Sequence, residues 1–197
     1  MEERMRRDAE AILSASIQAV LPDQAVARAL QEFHPGPGRL LLVAVGKAAW
    51  RMAHAALAQL GRVDDGVVIT KYGHLEAELP GLRCYEAGHP VPDAQGFRAT
   101  REALELVRNL TSQDTVLFLL SGGGSALFEE PLIPPEELQQ VTRQLLGCGA
   151  DIVEINPIRK RLSGVKGGRF ARACAPARVF SVVLSDIIGD PLDMIAS

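Results

Sequence analysis

The sequence predicts an α/β fold: a Rossmann-like three-layer domain with a mostly parallel sheet of about five or six strands flanked by helices. Three observations predict it. Five short apolar runs recur along the 197 residues, separated by stretches of helical period. The run from Thr115 to Leu120 is continuous rather than alternating, which suits a strand covered on both faces. That run and the one at Leu40 to Val45 close on glycine-bearing turns, the usual setting for ligands at the carboxyl ends of parallel strands.

Taken in order, Arg4 to Leu30 reads as helix, rich in alanine, with Ile12, Ile17, Val20 and Leu21 near helical spacing. Pro22 divides it into two pieces. Pro35-Gly36-Pro37-Gly38 is a stop and turn. Leu40 to Val45 is the first buried strand, closed by Gly46-Lys47. Ala48 to Leu60 is a helix ended by Gly61. Val67 to Thr70 is a second strand and Leu82 to Glu86 a third. Asp93 caps a helix running to about Leu110, with Leu104, Val107 and Leu110 inward and Arg98, Arg101 and Arg108 in solvent. Thr115 to Leu120 is the fourth strand. Glu136 to Leu146 and Asp151 to Leu162 are helical, the latter irregular at Asn156-Pro157. Gly167 to Ala173 makes a further turn or two, and Val179 to Leu184 is the fifth strand.

Composition excludes several classes. Apolar content of 47% with 23% charged residues is ordinary for a globular domain. A net charge of -3 gives no footprint for nucleic acid. No run reaches the roughly 18 apolar residues of a membrane span. The N-terminus, with Glu2, Glu3, Asp8 and Glu10 among its arginines, resembles neither a signal nor a transit peptide. Cys84, Cys148 and Cys174 form no C-x-x-C pair and read as reduced thiols of a cytoplasmic protein. Because an α/β domain usually covers its last strand, the ending D-P-L-D-M-I-A-S reads as a truncation.

If the strands are parallel, the residues just past them meet at one edge. These are Gly46-Lys47, Lys71 to His74, Gly88-His89, Ser121 to Ser125, and Ser185-Asp186 with Asp190. Ser121, Gly122, Gly123, Gly124 and Ser125 suit a phosphate: glycines let backbone N–H groups approach an anion, and serine hydroxyls can donate as well. A helix beginning at Ala126 would point its positive end at the same spot. Lysines oppose phosphate charge, and aspartates hold Mg²⁺ through one or two carboxylates. Together this is an inventory for phosphoryl transfer. Gly46-Lys47 lacks the upstream glycine and following hydroxyl of a Walker A loop, and no G-x-G-x-x-G follows the first strand, which weighs against a nicotinamide-dependent reductase. The basic stretch Ile155 to Arg169 lacks interleaved aromatics. It suits a positive wall toward phosphates or a carboxylate better than a nucleic-acid surface.

Six segments, in order along nearly the whole chain, resemble the glycerate 2-kinases that carry a C-terminal MOFRL domain. They are A-V-G-K-A-A-W at Ala44 to Trp50, V-I-T-K-Y-G-H at Val68 to His74 and E-A-G-H-P-V-P-D at Glu86 to Asp93. S-G-G-G-S-A-L at Ser121 to Leu127, N-P-I-R-K-R-L-S-G-V-K-G-G-R at Asn156 to Arg169 and L-S-D-I-I-G-D-P-L-D-M-I-A-S at Leu184 to Ser197 complete the set. The resemblance implies ATP- and Mg²⁺-dependent phosphorylation of D-glycerate at its 2-hydroxyl. It places the essential lysine at Lys47 and the nucleotide-contacting loop at Ser121 to Ser125. Lys71 and His89, just past the second and third strands, are expected to contact the nucleotide or its phosphates as well. Asp186 and Asp190 are the expected catalytic and Mg²⁺-binding carboxylates. Asn156, Arg159, Lys160 and Lys166 are expected to hold phosphates or the glycerate carboxylate. Arg161 stands where the family commonly has a histidine.

The family continues beyond I-A-S into a second half that supplies the other wall of the cleft. Residues 1–197 are therefore expected to be the N-terminal nucleotide- and glycerate-binding domain, weakly active or inactive alone, binding small molecules and neither nucleic acid nor membrane. A homodimer is compatible with the sequence. A hydroxypyruvate reductase and a non-catalytic phosphosugar-binding module are the alternatives.

Overall fold

In a computed structural model describing residues 2–185, 189 and 195, five strands form a single sheet in the order β3-β2-β1-β4-β5. They are β1 (Leu40–Val45), β2 (Asp65–Lys71), β3 (Arg83–Ala87), β4 (Thr115–Ser121) and β5 (Arg178–Leu184). Every pairing is parallel, with Val45 opposite Leu120 at the end of β1 and Ser121 opposite Leu184 at the end of β4. The chain moves outward from β1 to β3, then crosses back to lay β4 on the other side of β1. That reversal opens a crevice at the carboxyl ends of β1 and β4.

Strand residues alternate between two cores, as a pleated backbone requires. Leu41, Val43, Val45, Val116 and Leu120 face one side, under α4 (Ala94–Leu106) and the Phe128 and Phe170 rings. Leu40, Leu42, Ala44, Leu117 and Leu119 face the other, under α2 (Pro22–Ala29) and α3 (Ala49–Leu60), where Trp50, Met52 and Ala53 pack. Both faces of β1 are covered, so its six residues are all buried. This is why L-L-L-V-A-V shows no alternation. Asp93 caps α4 as expected, accepting from the Gly96 N–H at 3.0 Å. The remaining helices are α1 (Glu2–Val20), α5 (Gly124–Leu127), α6 (Pro135–Gly147), α7 (Ile152–Arg161) and α8 (Arg169–Ala173).

Two features differ from the sequence reading. Helix α1 buries none of its residues, and Ile12, Ile17 and Val20 are exposed, so its apolar stripe does not join the sheet. Pro157 lies inside α7 without breaking it: in the second turn of a ten-residue helix, its missing N–H forfeits a single bond. Among the described residues no helix is long and apolar enough to cross a membrane.

The amino ends of β1 and β4 are fixed by one buried carboxylate. Asp114 accepts from the backbone N–H of Thr111 and of Arg39, both at 2.7 Å, and from the Thr111 hydroxyl at 3.0 Å. These donors, the Thr111 N–H first, hold its pKa down at about 2. A carboxyl depressed by folding contributes stability that is fully present above its unfolded pKa of about 4 and is lost as pH falls through its folded value. Asp114→Asn should lower the thermal midpoint at neutral pH and flatten the acid side of the stability profile between about pH 4 and pH 2. Thermal melts across that range check it.

Candidate functional site

Two turns meet in the crevice. The Lys47 N–H donates to the Gly122 carbonyl at 2.9 Å, and the Ala48 N–H to Ser121 Oγ at 3.0 Å. Ser121 Oγ donates in turn to the Val45 carbonyl at 3.4 Å. Gly46 makes this approach feasible: its φ is +122°, and a Cβ there would lie 2.2 Å from Ser121 Oγ and 2.5 Å from the Ser121 carbonyl oxygen. Gly123 is the second special position. With φ +88°, its Cα faces the His89 ring and the Lys47 stem, and a Cβ would come within 3.1 Å and 3.2 Å of them. Lys47 of the first turn, His89 after β3 and Gly123 of the fourth strand's turn thus converge on one point.

Neighbouring loops brace that point. His74 Nδ1 donates to the Lys47 carbonyl at 3.0 Å. One Glu86 oxygen accepts from the N–H groups of Gly73, His74 and Leu75 at 2.8, 3.1 and 3.1 Å, which fixes the loop carrying His74. The Tyr72 hydroxyl donates to Asp93 at 2.7 Å, tying the loop after β2 to the cap of α4, and that bond pushes the phenol pKa up.

Beside Gly123 lies a cavity of about 230 Å³ lined by His89, the turn from Ser121 to Ala126, Leu146, Ile152, Arg159 and Ser185. Ile152 and Arg159 present one face of α7 to it, two turns apart. Burial holds the Arg159 guanidinium below its ordinary pKa, opposed by the Glu129 carboxylate. Asn156 lies on the same helix, 3% exposed, and both its side-chain polar atoms lack a partner among the described residues. A second cavity of about 380 Å³ shares Gly124 with the first and is lined by Phe118, Phe128, Phe170, Lys160 and Lys166, among others.

The expected site residues thus separate into groups. Lys47, His89 and the turn from Gly122 to Ser125 come together, with Arg159 across the cavity. Ser121 is buried, and its hydroxyl is taken up in binding the two turns to each other. Lys71 ends β2 outside the residues lining either cavity. Lys160 lines the larger cavity. Lys166 is buried, its ammonium 2.6 Å from Glu129 Oε2 and 3.0 Å from the Phe128 carbonyl, and burial brings its pKa down to about 8. Arg169 is spent on backbone carbonyls, donating to Lys160 at 2.5 Å and Lys166 at 3.3 Å. Asp186 and Asp190 lie outside the described residues. The expected helix after the turn amounts to a single turn, α5. Sequence reading missed Glu129. Its only signal was a pair of acids after an apolar run, with its lysine 37 residues away.

The geometry defines a class: an open parallel α/β domain with a lysine and a glycine-rich turn facing each other across the point where strand order reverses. The chain belongs to the family described as "Domain of unknown function (DUF4147)", which it matches over residues 8–197. It is 54% identical to the D-glycerate 2-kinase of Thermotoga maritima, over 99% of this chain and 47% of that protein. It is 43% identical to the glycerate 2-kinase of Pyrococcus horikoshii, over 81% of this chain and 36% of that protein. Its fold matches a crystal structure of glycerate kinase from Thermotoga maritima with a TM-score of 0.88 at 53% identity, covering 98% of this chain and 47% of that one. A crystal structure of a Pyrococcus horikoshii protein matches with a TM-score of 0.82 at 37% identity, covering 98% and 46%. The chain spans about half the length of the curated relatives it matches.

Gly46 and Gly61 both have positive φ, but a Cβ at Gly61 would meet nothing within 4 Å. Gly61→Ala should therefore cost only the left-handed strain of about 1 kcal/mol. Gly46→Ala adds a clash with β4 and should cost about 3 kcal/mol or more. Paired urea titrations give both values.

Proposed function

We propose that this chain is the phosphate-holding part of an ATP-dependent D-glycerate 2-kinase, the full enzyme phosphorylating the 2-hydroxyl of D-glycerate. The single observation that carries the reading is the convergence of Lys47, His89 and the Ser121–Ser125 turn at the β1–β4 crevice. The relatives' names supply the substrate. The residues fit a polyphosphate: a side chain at Gly123 would crowd His89 and the Lys47 stem, so the bare turn lets them close on it, and a lysine and an arginine flank the turn. ATP would supply the transferable phosphoryl group, and Mg²⁺ would supply positive charge against its phosphates.

Within this proposal each residue has a physical task. The turn from Gly122 to Ser125 holds phosphate oxygens through backbone N–H groups. Lys47, its backbone fixed by His74 and Gly122, opposes the charge of the transferring group. Arg159 faces the same anion from α7. Asp186 and Asp190 would hold Mg²⁺. Cytoplasmic location belongs to the same proposal, supported by Cys84, Cys148 and Cys174 all being free thiols.

The test is a coupled assay on the full-length protein. Release of ADP that depends on D-glycerate is the expected outcome, whereas NADH oxidation with hydroxypyruvate would replace this reading with a reductase. Lys47→Ala should lower kcat by about a hundredfold to a thousandfold with an unchanged melting temperature. Near-normal turnover would remove Lys47 from this role.

A further inference from the structure

Arg159 reaches the anion cavity from a helix that owes its position to a short zipper behind the glycine turn. After α5 the chain runs from Phe128 to Leu132 alongside Leu162 to Lys166. Leu132 N–H donates to the Leu162 carbonyl at 2.9 Å, Gly164 N–H donates to Glu130 at 2.7 Å, and Pro131 bridges Ser163. The zipper ends in the Lys166 ammonium, which donates to the Phe128 carbonyl and to Glu129 Oε2. Arg169 closes the carboxyl end of α7 from the far side through the Lys160 carbonyl. The Glu129 and Lys166 side chains are 3% and 2% exposed, and Glu129 Oε1 has no partner among the described residues.

We propose that Glu129 is a positioning residue: its buried carboxylate locks Lys166 and so sets the end of α7 at the distance that aims Arg159 at the Ser121–Ser125 turn. The inference rests on the phosphate reading of that turn and adds to it the means by which the arginine is held there. Two features support it. The carboxylate follows the turn by only four residues, so a short segment joins it to Ser125. It also lies close enough to Arg159 to offset part of that guanidinium's burial. An isolated buried lysine would be expelled or neutralised, so the carboxylate is also what keeps this segment folded inward.

The test uses the full-length protein, calorimetry with inorganic tripolyphosphate as the probe, and steady-state kinetics. Glu129→Gln should weaken tripolyphosphate binding about tenfold and raise KM for ATP similarly, as expected for a displaced charge-assisted contact. KM for D-glycerate should change less than KM for ATP. Glu129→Asp should recover part of the affinity. Removing one charge alone should also lower the thermal midpoint, because it leaves the other charge buried and unpaired. The double variant Glu129→Gln with Lys166→Met should regain most of that stability but not the affinity. Binding within twofold of the parent in Glu129→Gln, or full affinity in the double variant, would overturn the proposal, the latter by reducing Glu129 to a neutraliser of Lys166. A parent that binds tripolyphosphate but does not phosphorylate D-glycerate would sink the kinase reading while leaving this one to the binding data. A parent that binds none would sink both.

Discussion

The site depends on how closely the backbones after β1 and β4 approach each other. Parallel strands that pair side by side still diverge once their ladder ends, unless something holds their outgoing turns together. Here the bonds from Lys47 to Gly122 and from Ala48 to Ser121 continue the pairing past the strands, and a single hydroxyl, that of Ser121, bridges both turns. The price is that residue 46 can carry no side chain. In return, Lys47 and the glycine turn are placed by backbone contacts rather than by long side chains. Rigid placement of this kind favours charge stabilisation, because little reorganisation is left for the moment of reaction.

Much of the fold was legible because burial on both faces leaves a simple trace. The all-apolar runs of β1 and β4 could be nothing but covered strands or buried helices, and the flanking glycines decided between them. Asp93 was legible as a cap because capping is local. Helix α1 shows the opposite case: its stripe of apolar residues has the spacing of a core-facing helix, yet none of it is buried. Periodicity records that a face is apolar, not what covers it.

The site was legible in its glycines and its first lysine, and less so in its cations. Arg159, Lys160, Lys166 and Arg169 look alike in sequence, a basic cluster with one sign. In the fold they do different things. Arg169 satisfies carbonyls at the end of a helix, Lys166 neutralises a buried acid, and Arg159 and Lys160 line separate cavities. Charge type cannot distinguish these roles, because each is set by what the fold places around the side chain, from a carbonyl three residues away to a carboxylate 37 residues away. Glu129 was invisible for the same reason.

That division of labour bears on how an anion would be gripped. Arg159 is partly desolvated, so part of the hydration that stabilises its charge in water is already lost, and Glu129 restores only some of it. An incoming phosphate would make good the rest, so its gain on binding exceeds that of a pairing with a fully hydrated surface arginine. The same logic explains why Glu129 should grip Lys166 directly and touch Arg159 only at a distance. A carboxylate bonded to the arginine itself would compete with the ligand for its donors. One bonded to the lysine holds the helix in place while leaving the guanidinium donors unspent on it.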